Sequence, residues 1–228
     1  MKIGVLGPNG FIGSAIKETG IPFIGITREN YNQHIGQHFD ILINLAGNKK
    51  SFWANQHPND DFQLSTAVVY KSLVDFSIDK YVFFSSVAVY DENSHYGFNK
   101  LLSEQIIKRH AKKYLIIRAS NIIDKNMDIG MIHDIKNNIP LFLTNDSEIQ
   151  FITKTDIVRV MFELIEKDNL CLNVGGKGTV RISELQDILG KQAILKPDAK
   201  YRKYSMDISD LLSLTNVKTS KEYVKDIL

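Results

Sequence analysis

Lys2-Ile-Gly-Val-Leu-Gly-Pro-Asn-Gly-Phe-Ile-Gly13 carries a short apolar run straight into three glycines spaced Gly7-x-x-Gly10-x-x-Gly13, and then into helix-forming sequence. The run from Lys2 to Leu6 predicts a buried parallel strand. Gly7 lets the chain turn tightly, Gly10 lets backbone approach a pyrophosphate, and Gly13 lets helix and strand pack closely. Phosphates on such a loop meet the positive end of the helix that follows. Glycines at this spacing also serve ordinary turns, so the reading gains its weight from the position directly after the first strand and from a second motif far downstream.

Outward from this loop, apolar runs alternate with helical segments, which is the pattern of a parallel sheet covered on both faces and of the α/β class. Strands are expected at Lys2 to Leu6, Pro22 to Thr27, Ile41 to Leu45, Lys80 to Ser85, Tyr114 to Arg118 and Leu170 to Val174. Helices are expected at Phe11 to Glu18, Phe62 to Phe76 and Tyr96 to His110. The connection from Thr27 to Ile41 has no room for a further strand and helix, so the outer strand of a complete doubly wound half is expected to be missing. Glu29 to His38 can supply one short helix there.

Beyond Asn121 the pattern loosens. Met127 to Asn138 reads as helix, Pro140 to Thr144 and Ile149 to Thr153 as short strands, and Asp156 to Lys167 as an amphipathic helix capped by Thr155. Ser183-x-x-Gln186 reads as a capping box for a helix ending at Leu189, followed by a charged region of short helices. These breaks place a dinucleotide-binding domain at 1–123 and 146–176. A small, discontinuous substrate region would occupy 124–145 and 177–228.

With 228 residues, 43% of them hydrophobic, the chain can bury a substantial core. Lys and Arg number 28 against 26 Asp and Glu, so no global field draws the chain to nucleic acid or to a membrane, and a small-molecule partner is expected. The single cysteine, Cys171, has no partner for an internal disulfide and fits a reducing cytoplasm. No apolar stretch approaches the roughly 20 residues that span a bilayer, and the N-terminal strand is too short for a secretory apolar region. A soluble, cytoplasmic protein is the expectation.

Three groups converge if the sheet is right. Tyr81-Val-Phe-Phe-Ser-Ser86 would end at the carboxyl edge of the sheet, where open α/β sheets bind ligands. Tyr96-x-x-x-Lys100 follows, and residues four apart share a helix face, so the Lys100 ammonium can sit near the Tyr96 phenol. A free phenol has a pKa of about 10; a nearby cation stabilises the phenolate and is expected to lower that value, making Tyr96 an acid/base. The Ser86 hydroxyl can hold the reacting oxygen. Tyr and Lys four apart also occur on ordinary surface helices, so the pair counts only alongside the loop and the Ser-Ser strand end.

Taken together, Gly7-x-x-Gly10-x-x-Gly13, Asp40-Ile-Leu-Ile-Asn-Leu-Ala-Gly47, Phe84-Ser-Ser-Val-Ala-Val-Tyr90, Tyr96-Gly-Phe-Asn-Lys100 and Arg118-Ala-Ser-Asn121 resemble the extended short-chain dehydrogenase/reductases, the family of NAD(P)-dependent nucleotide-sugar epimerases, dehydratases and 4-ketoreductases. Phe151-Ile-Thr-Lys-Thr-Asp156 and Leu172-Asn-Val-Gly175 resemble it too, so the likeness covers most of the chain. It implies a Rossmann-like doubly wound sheet, with Ser86, Tyr96 and Lys100 as catalytic trio. It also implies cofactor contacts from Gly7, Asn9, Gly10, Phe11, Ile12, Gly13, Asn44, Leu45, Ala46 and Gly47, with Tyr96 and Lys100 at the nicotinamide. Ser86 and Asn121 would face a nucleotide-sugar substrate. Family members commonly dimerise through the two helices read here as Phe62 to Phe76 and Tyr96 to His110, so a homodimer is expected.

The chain departs from the family pattern in four places. The stretch from Ser86 to Tyr96 is short, and Ser65 or Thr66 stands about where an asparagine is usual. The acidic adenine-contact segment is absent, and the C-terminal portion is small. In place of an acid, the second strand ends in Thr27-Arg28, and a guanidinium there favours the 2′-phosphate of NADP over NAD. Val87 and Ala88 follow Ser86, where dehydratases place two acids, so elimination ranks last. A 4-ketoreductase is the leading expectation. The alternatives are an epimerase with tightly bound NAD and, from another class, a non-catalytic NAD(P)-binding sensor or partner subunit. His34 and His38 have a metal-compatible helical spacing with nothing to support a metal, and none is expected.

Overall fold

The computed structural model describes residues 1–48 and 50–228. In chain order the first elements are β1 (Ile3–Leu6), α1 (Phe11–Glu18), β2 (Ile24–Ile26), β3 (His38–Asn44), α2 (Ser51–Gln56), α3 (Pro58–Leu64), α4 (Thr66–Asp75), β4 (Ser77–Ser86), α5 (His95–His110) and β5 (Lys113–Ala119). They are followed by β6 (Asn121–Ile123), α6 (Met131–Lys136), β7 (Leu141–Leu143), β8 (Glu148–Ile149), β9 (Phe151–Thr153), α7 (Lys154–Leu164) and β10 (Leu170–Val174). The last are β11 (Val180–Arg181), α8 (Ile182–Leu189), β12 (Leu195–Lys200), β13 (Lys203–Tyr204), α9 (Ser209–Leu212) and α10 (Ser220–Asp226).

A six-stranded parallel sheet runs β10-β5-β4-β3-β1-β2. Its strands are continuous apolar runs because both faces are covered, and all four residues of β1 are buried. Phe39, Leu42, Tyr81, Phe83, Ile107 and Ile116 form the heart of the core; burying each large apolar side chain contributes about 1.5–3 kcal/mol. β2 lies at the sheet edge, and among the described residues no strand pairs beyond it. The Thr27 to Ile41 connection holds a single 3-10 turn, Tyr31–His34. Among the described residues the outer strand is missing, as the shortness of that connection requires.

Contacts divide the chain into two compact units, Met1–Arg118 with Val158–Leu172, and Ala119–Ile157 with Asn173–Leu228. In the second, β6 and β9 pair in parallel with Asn121 opposite Phe151, which ties residues 121–123 and 151–153 together. β8 is flanked by β11 and β13, and β12 pairs with β7.

Several local expectations are corrected. The helix expected at Phe62 to Phe76 is two helices, α3 and α4, broken at Ser65, whose hydroxyl donates to the Asp61 carbonyl at 2.6 Å. The helix expected from Met127 starts only at Met131, because Gly130 enters it with φ of 96°. Ile149 to Thr153 is split between two sheets; the buried Gln150 side chain donates to the Gly176 carbonyl at 2.8 Å and accepts from the Met206 N–H at 3.0 Å. Thr155 lies inside α7, and the Asp156 N–H donates to Thr153 Oγ1 instead. At α8 it is Glu184, not Gln186, that accepts from the Arg181 N–H, at 2.9 Å; Gln186 donates to Asn145. The C-terminal region carries β12 and β13 as well as short helices.

Candidate active site

The glycine loop has the geometry its spacing predicts. Gly7 holds φ of 74°, in the region that favours glycine. A methyl on Gly13 would lie 2.3 Å from the Pro8 carbonyl oxygen, so only glycine lets α1 begin this close to the loop. At Gly10 the nearest atom to an added methyl is 3.5 Å away, which leaves the backbone open to a ligand. α1 has no acid in its first turn and no side-chain cap at Gly10. A helix that starts without a side-chain cap or an acid at the carboxyl end of a parallel strand fits a pyrophosphate.

Of the neighbouring residues read as cofactor contacts, Asn44 is buried, donating from Nδ2 to the Tyr81 hydroxyl at 2.8 Å and accepting from the Ala46 N–H at 2.8 Å. Its amide is committed to shaping the turn. Leu45 and Ala46 are partly buried and Gly47 is exposed, with φ of 132°. Asn9 accepts from Lys17 at 2.8 Å, and Phe11 and Ile12 are partly buried in the first turn of α1. Arg28 is exposed on the turn after β2, which the Asn30 side chain closes by accepting from the Thr27 N–H at 2.7 Å and donating to the Gly25 carbonyl at 2.9 Å.

Ser86, Tyr96 and Lys100 come together where β4 ends and α5 begins. Ser86 Oγ accepts from the Ala88 N–H at 3.2 Å and so opens the 3-10 turn Val87–Tyr90. Ser94 caps α5 by accepting from the Gly97 N–H at 3.1 Å. A methyl on Gly97 would lie 2.0 Å from the Ala88 carbonyl oxygen, so glycine at this position lets α5 close onto that turn. Lys100 is buried; its Nζ donates to the Phe84 carbonyl at 2.8 Å and lies 5.8 Å from the centre of the Tyr96 ring.

The electrostatics reverse one expectation. The Tyr96 phenol is pushed up to about 12, first by burial and then by the negative charge of Asp61, while its hydrogen bond with Ser86 pulls the other way. Lys100 is pushed down to about 8 by burial, with Asp61 and Glu104 opposing that fall. A desolvated ammonium tied to a carbonyl does not outweigh burial and a nearby carboxylate, so the phenol is held neutral rather than made acidic.

Asp61 was not legible as part of this site. It is fully buried on α3, and Oδ2 accepts from Asn99 Nδ2 at 2.7 Å, while Oδ1 has no hydrogen-bond partner among the described residues. Asn99 lies between Tyr96 and Lys100 on α5, and its carbonyl accepts from Thr66 at 2.9 Å and Ser103 at 2.8 Å. Behind the strand end, buried Glu104 accepts from Ser85 Oγ at 2.6 Å and from Arg118 through Nε at 2.9 Å and a second guanidinium nitrogen at 2.6 Å. Asn121, in the second unit, lines a cavity of about 170 Å³ with Ile123, Met127, Met131, His133 and Phe151.

His34 and His38 do not share a helix: one ends the 3-10 turn and the other begins β3. Ligand atoms of His38, Asp40 and Asp79 do lie within 4.8 Å of one another. Lys112 already meets Asp79 at 3.2 Å, and the Lys2 N–H donates to Asp40.

The model of the NAD-dependent epimerase/dehydratase family matches residues 23–175, about two thirds of the sequence. The chain belongs to that family. It is an NAD(P)-dependent enzyme of the short-chain dehydrogenase/reductase type, and the glycine loop at residues 7–13 lies outside the matched span. No curated protein matches the sequence. Among solved structures the fold is similar to a UDP-glucose 4-epimerase from Thermotoga maritima with UDP-glucose: 21% identity, TM-score 0.77, covering 99% of this chain and 96% of that one. It is also similar to a dTDP-4-dehydrorhamnose reductase from Bacillus anthracis with NADP: 15% identity, TM-score 0.79, covering 100% and 98%. A UDP-glucuronic acid 4-epimerase from Bacillus cereus with UDP-glucuronic acid and NAD aligns at 18% identity and TM-score 0.74, covering 100% of both chains. Among the described residues no helix is long and apolar enough to cross a membrane.

Proposed function

We propose that this family member is an NADP-preferring 4-ketoreductase acting on a nucleotide-linked sugar, with Ser86, Tyr96 and Lys100 as its acid–base trio. The observation that carries the reading is the convergence of the three side chains where β4 meets α5: Lys100, anchored to the Phe84 carbonyl at 2.8 Å, lies 5.8 Å from the centre of the Tyr96 ring, and the Tyr96 phenol, hydrogen-bonded with Ser86, stays neutral as a proton donor. A bound nicotinamide supplies hydride to the ketone carbon. Tyr96 gives its proton to the ketone oxygen, Ser86 holds that oxygen by donating its hydroxyl, and the Lys100 cation steadies the phenolate left behind. The carbonyl thus becomes a CH–OH group.

Arg28, exposed just beyond β2 where an acid would favour NAD, supports NADP. Val87 and Ala88 after Ser86 offer neither acid nor base for eliminating water, which argues against a dehydratase. The second unit, with Asn121 at its cavity, is the proposed substrate-binding region. A reducing cytoplasm suits the free Cys171 thiol. Tyr70 and Val74 on α4 and Phe98 and Leu101 on α5 expose apolar surface on two helices packed together, which supports a homodimer through this face.

A panel of nucleotide-linked keto sugars, followed by loss of NADPH or NADH absorbance, tests the reading. Turnover with NADPH that vanishes in Tyr96→Phe supports it, and silence across the panel overturns it in favour of a cofactor-binding sensor or partner subunit. The epimerase-like folds favour a second reading, interconversion of nucleotide sugars with retained NAD. NAD released from the purified, denatured protein would select it.

A further inference from the structure

Asp61 has no part in the trio, yet it is a buried charge whose field reaches both Tyr96 and Lys100. It reaches α5 from α3 and fastens through Oδ2 to Asn99, the residue between the Tyr96 turn and Lys100. Its backbone carbonyl is tied to the Ser65 hydroxyl and its N–H to the His57 carbonyl, so the carboxylate is fixed in place. Among the described residues one oxygen remains without a hydrogen bond at zero exposure, a costly state for a carboxylate. A neutral side chain of the same shape would avoid that cost, so the charge itself calls for an explanation.

We infer that Asp61 is a positioning residue for the proposed proton donor: its buried carboxylate, held by Asn99, keeps the proton on Tyr96 and the charge on Lys100. The inference rests on the reading of Tyr96 as proton donor. Its effect on both neighbours has the right sign, since the negative charge raises the phenol and the ammonium alike. The other charged groups around the pair do not replace it. Glu104, one turn beyond Lys100 on α5, is engaged by Ser85 and Arg118; Asp60 and His57 are turned to solvent, 3.9 Å from each other; α2 offers Asn55, whose side chain accepts from the Tyr96 N–H at 3.4 Å; and β4 brings the Ser86 hydroxyl. The sign also suits a reductase, which needs a phenol that stays protonated until the ketone oxygen takes its proton.

The test is an ultraviolet phenolate titration of Asp61→Asn, with the matching Tyr96→Phe chain subtracted to isolate Tyr96. Asparagine keeps the hydrogen bond from Asn99 and removes the charge. The expected result is a Tyr96 phenol about tenfold more acidic, and an alkaline limb of reductase activity displaced toward neutral pH by a similar factor. Asp61→Glu should leave both near the parent, and Asp61→Ser serves as a second neutral variant should Asp61→Asn fold poorly. A Tyr96 titration unmoved in the folded neutral variants overturns the inference. A shifted titration with no turnover on any keto sugar leaves the inference standing while the reductase reading falls; turnover with an unshifted titration does the reverse.

Discussion

Lys100 Nζ donates to the Phe84 carbonyl at 2.8 Å, so the cation beside Tyr96 is anchored to the strand that ends in Ser86. Helix α5 and strand β4 are thereby pinned at the point where the phenol and the serine hydroxyl meet. A buried ammonium with one carbonyl as its hydrogen-bond partner is poorly solvated, and although the charges of Asp61 and Glu104 oppose the fall, its pKa drops from an ordinary 10.5 to about 8.

This depression makes stability depend on pH with a defined sign. Below pH 8 the folded chain carries the full cost of the buried cation. Between pH 8 and 10.5 the unfolded chain still binds a proton that the folded chain has lost, so stability rises with pH across that window. In urea denaturation the parent should gain ~3 kcal/mol relative to Lys100→Met on going from pH 7 to 10.5. A constant difference between the two chains would mean that Lys100 is well solvated.

The second and third glycines of the loop should fail differently. Gly13→Ala drives a methyl to 2.3 Å from the Pro8 oxygen, forcing α1 off the loop, and should cost ~1–3 kcal/mol of stability as well as cofactor binding. Gly10→Ala meets nothing closer than 3.5 Å within the protein and should melt within a few degrees of the parent while NADPH affinity falls at least tenfold. Thermal melts with and without NADPH separate the two.

Much of this architecture was readable because buried parallel strands are continuous apolar runs; Ile41-Leu-Ile43 and Leu115-Ile-Ile117 announce themselves. The glycine loop and Tyr96-x-x-x-Lys100 were readable because their spacing is local. What escaped depends on distance in space. Asp61 lies far from Tyr96 in the sequence and joins it only once α3 packs on α5. The direction of the phenol's shift could not follow from helical spacing, since spacing brings Lys100 near but says nothing of how deeply both are buried. The break at Ser65 and the late start of α6 turn on single side-chain and glycine geometries that apolar periodicity does not report.

Gly97 links the helix to the chemistry. With α5 lying on the Val87–Tyr90 turn, a methyl there would come within 2.0 Å of the Ala88 oxygen. Gly97→Ala should shift the start of α5, separate Tyr96 from Ser86 and lower kcat at least a hundredfold, with NADPH affinity changed far less. Steady-state kinetics beside direct NADPH titration would show it; equal losses in both would place the damage in the cofactor loop instead.

Arg28 offers the sharpest distinction between the two cofactors. It stands exposed on a turn held by Asn30, with Glu29 beside it kept ionised to low pH, chiefly by a hydrogen bond from Thr27. A guanidinium on this turn gains from a 2′-phosphate through charge-assisted bonds of about 1.5–3 kcal/mol, and gains almost nothing from a 2′-hydroxyl. Arg28→Ala should therefore raise KM for NADPH by ~10–100-fold and leave that for NADH within twofold. The loss should also shrink as salt is added, because an exposed ion pair is screened. Equal effects on both nucleotides would assign Arg28 to the solvated surface and return the preference to NAD.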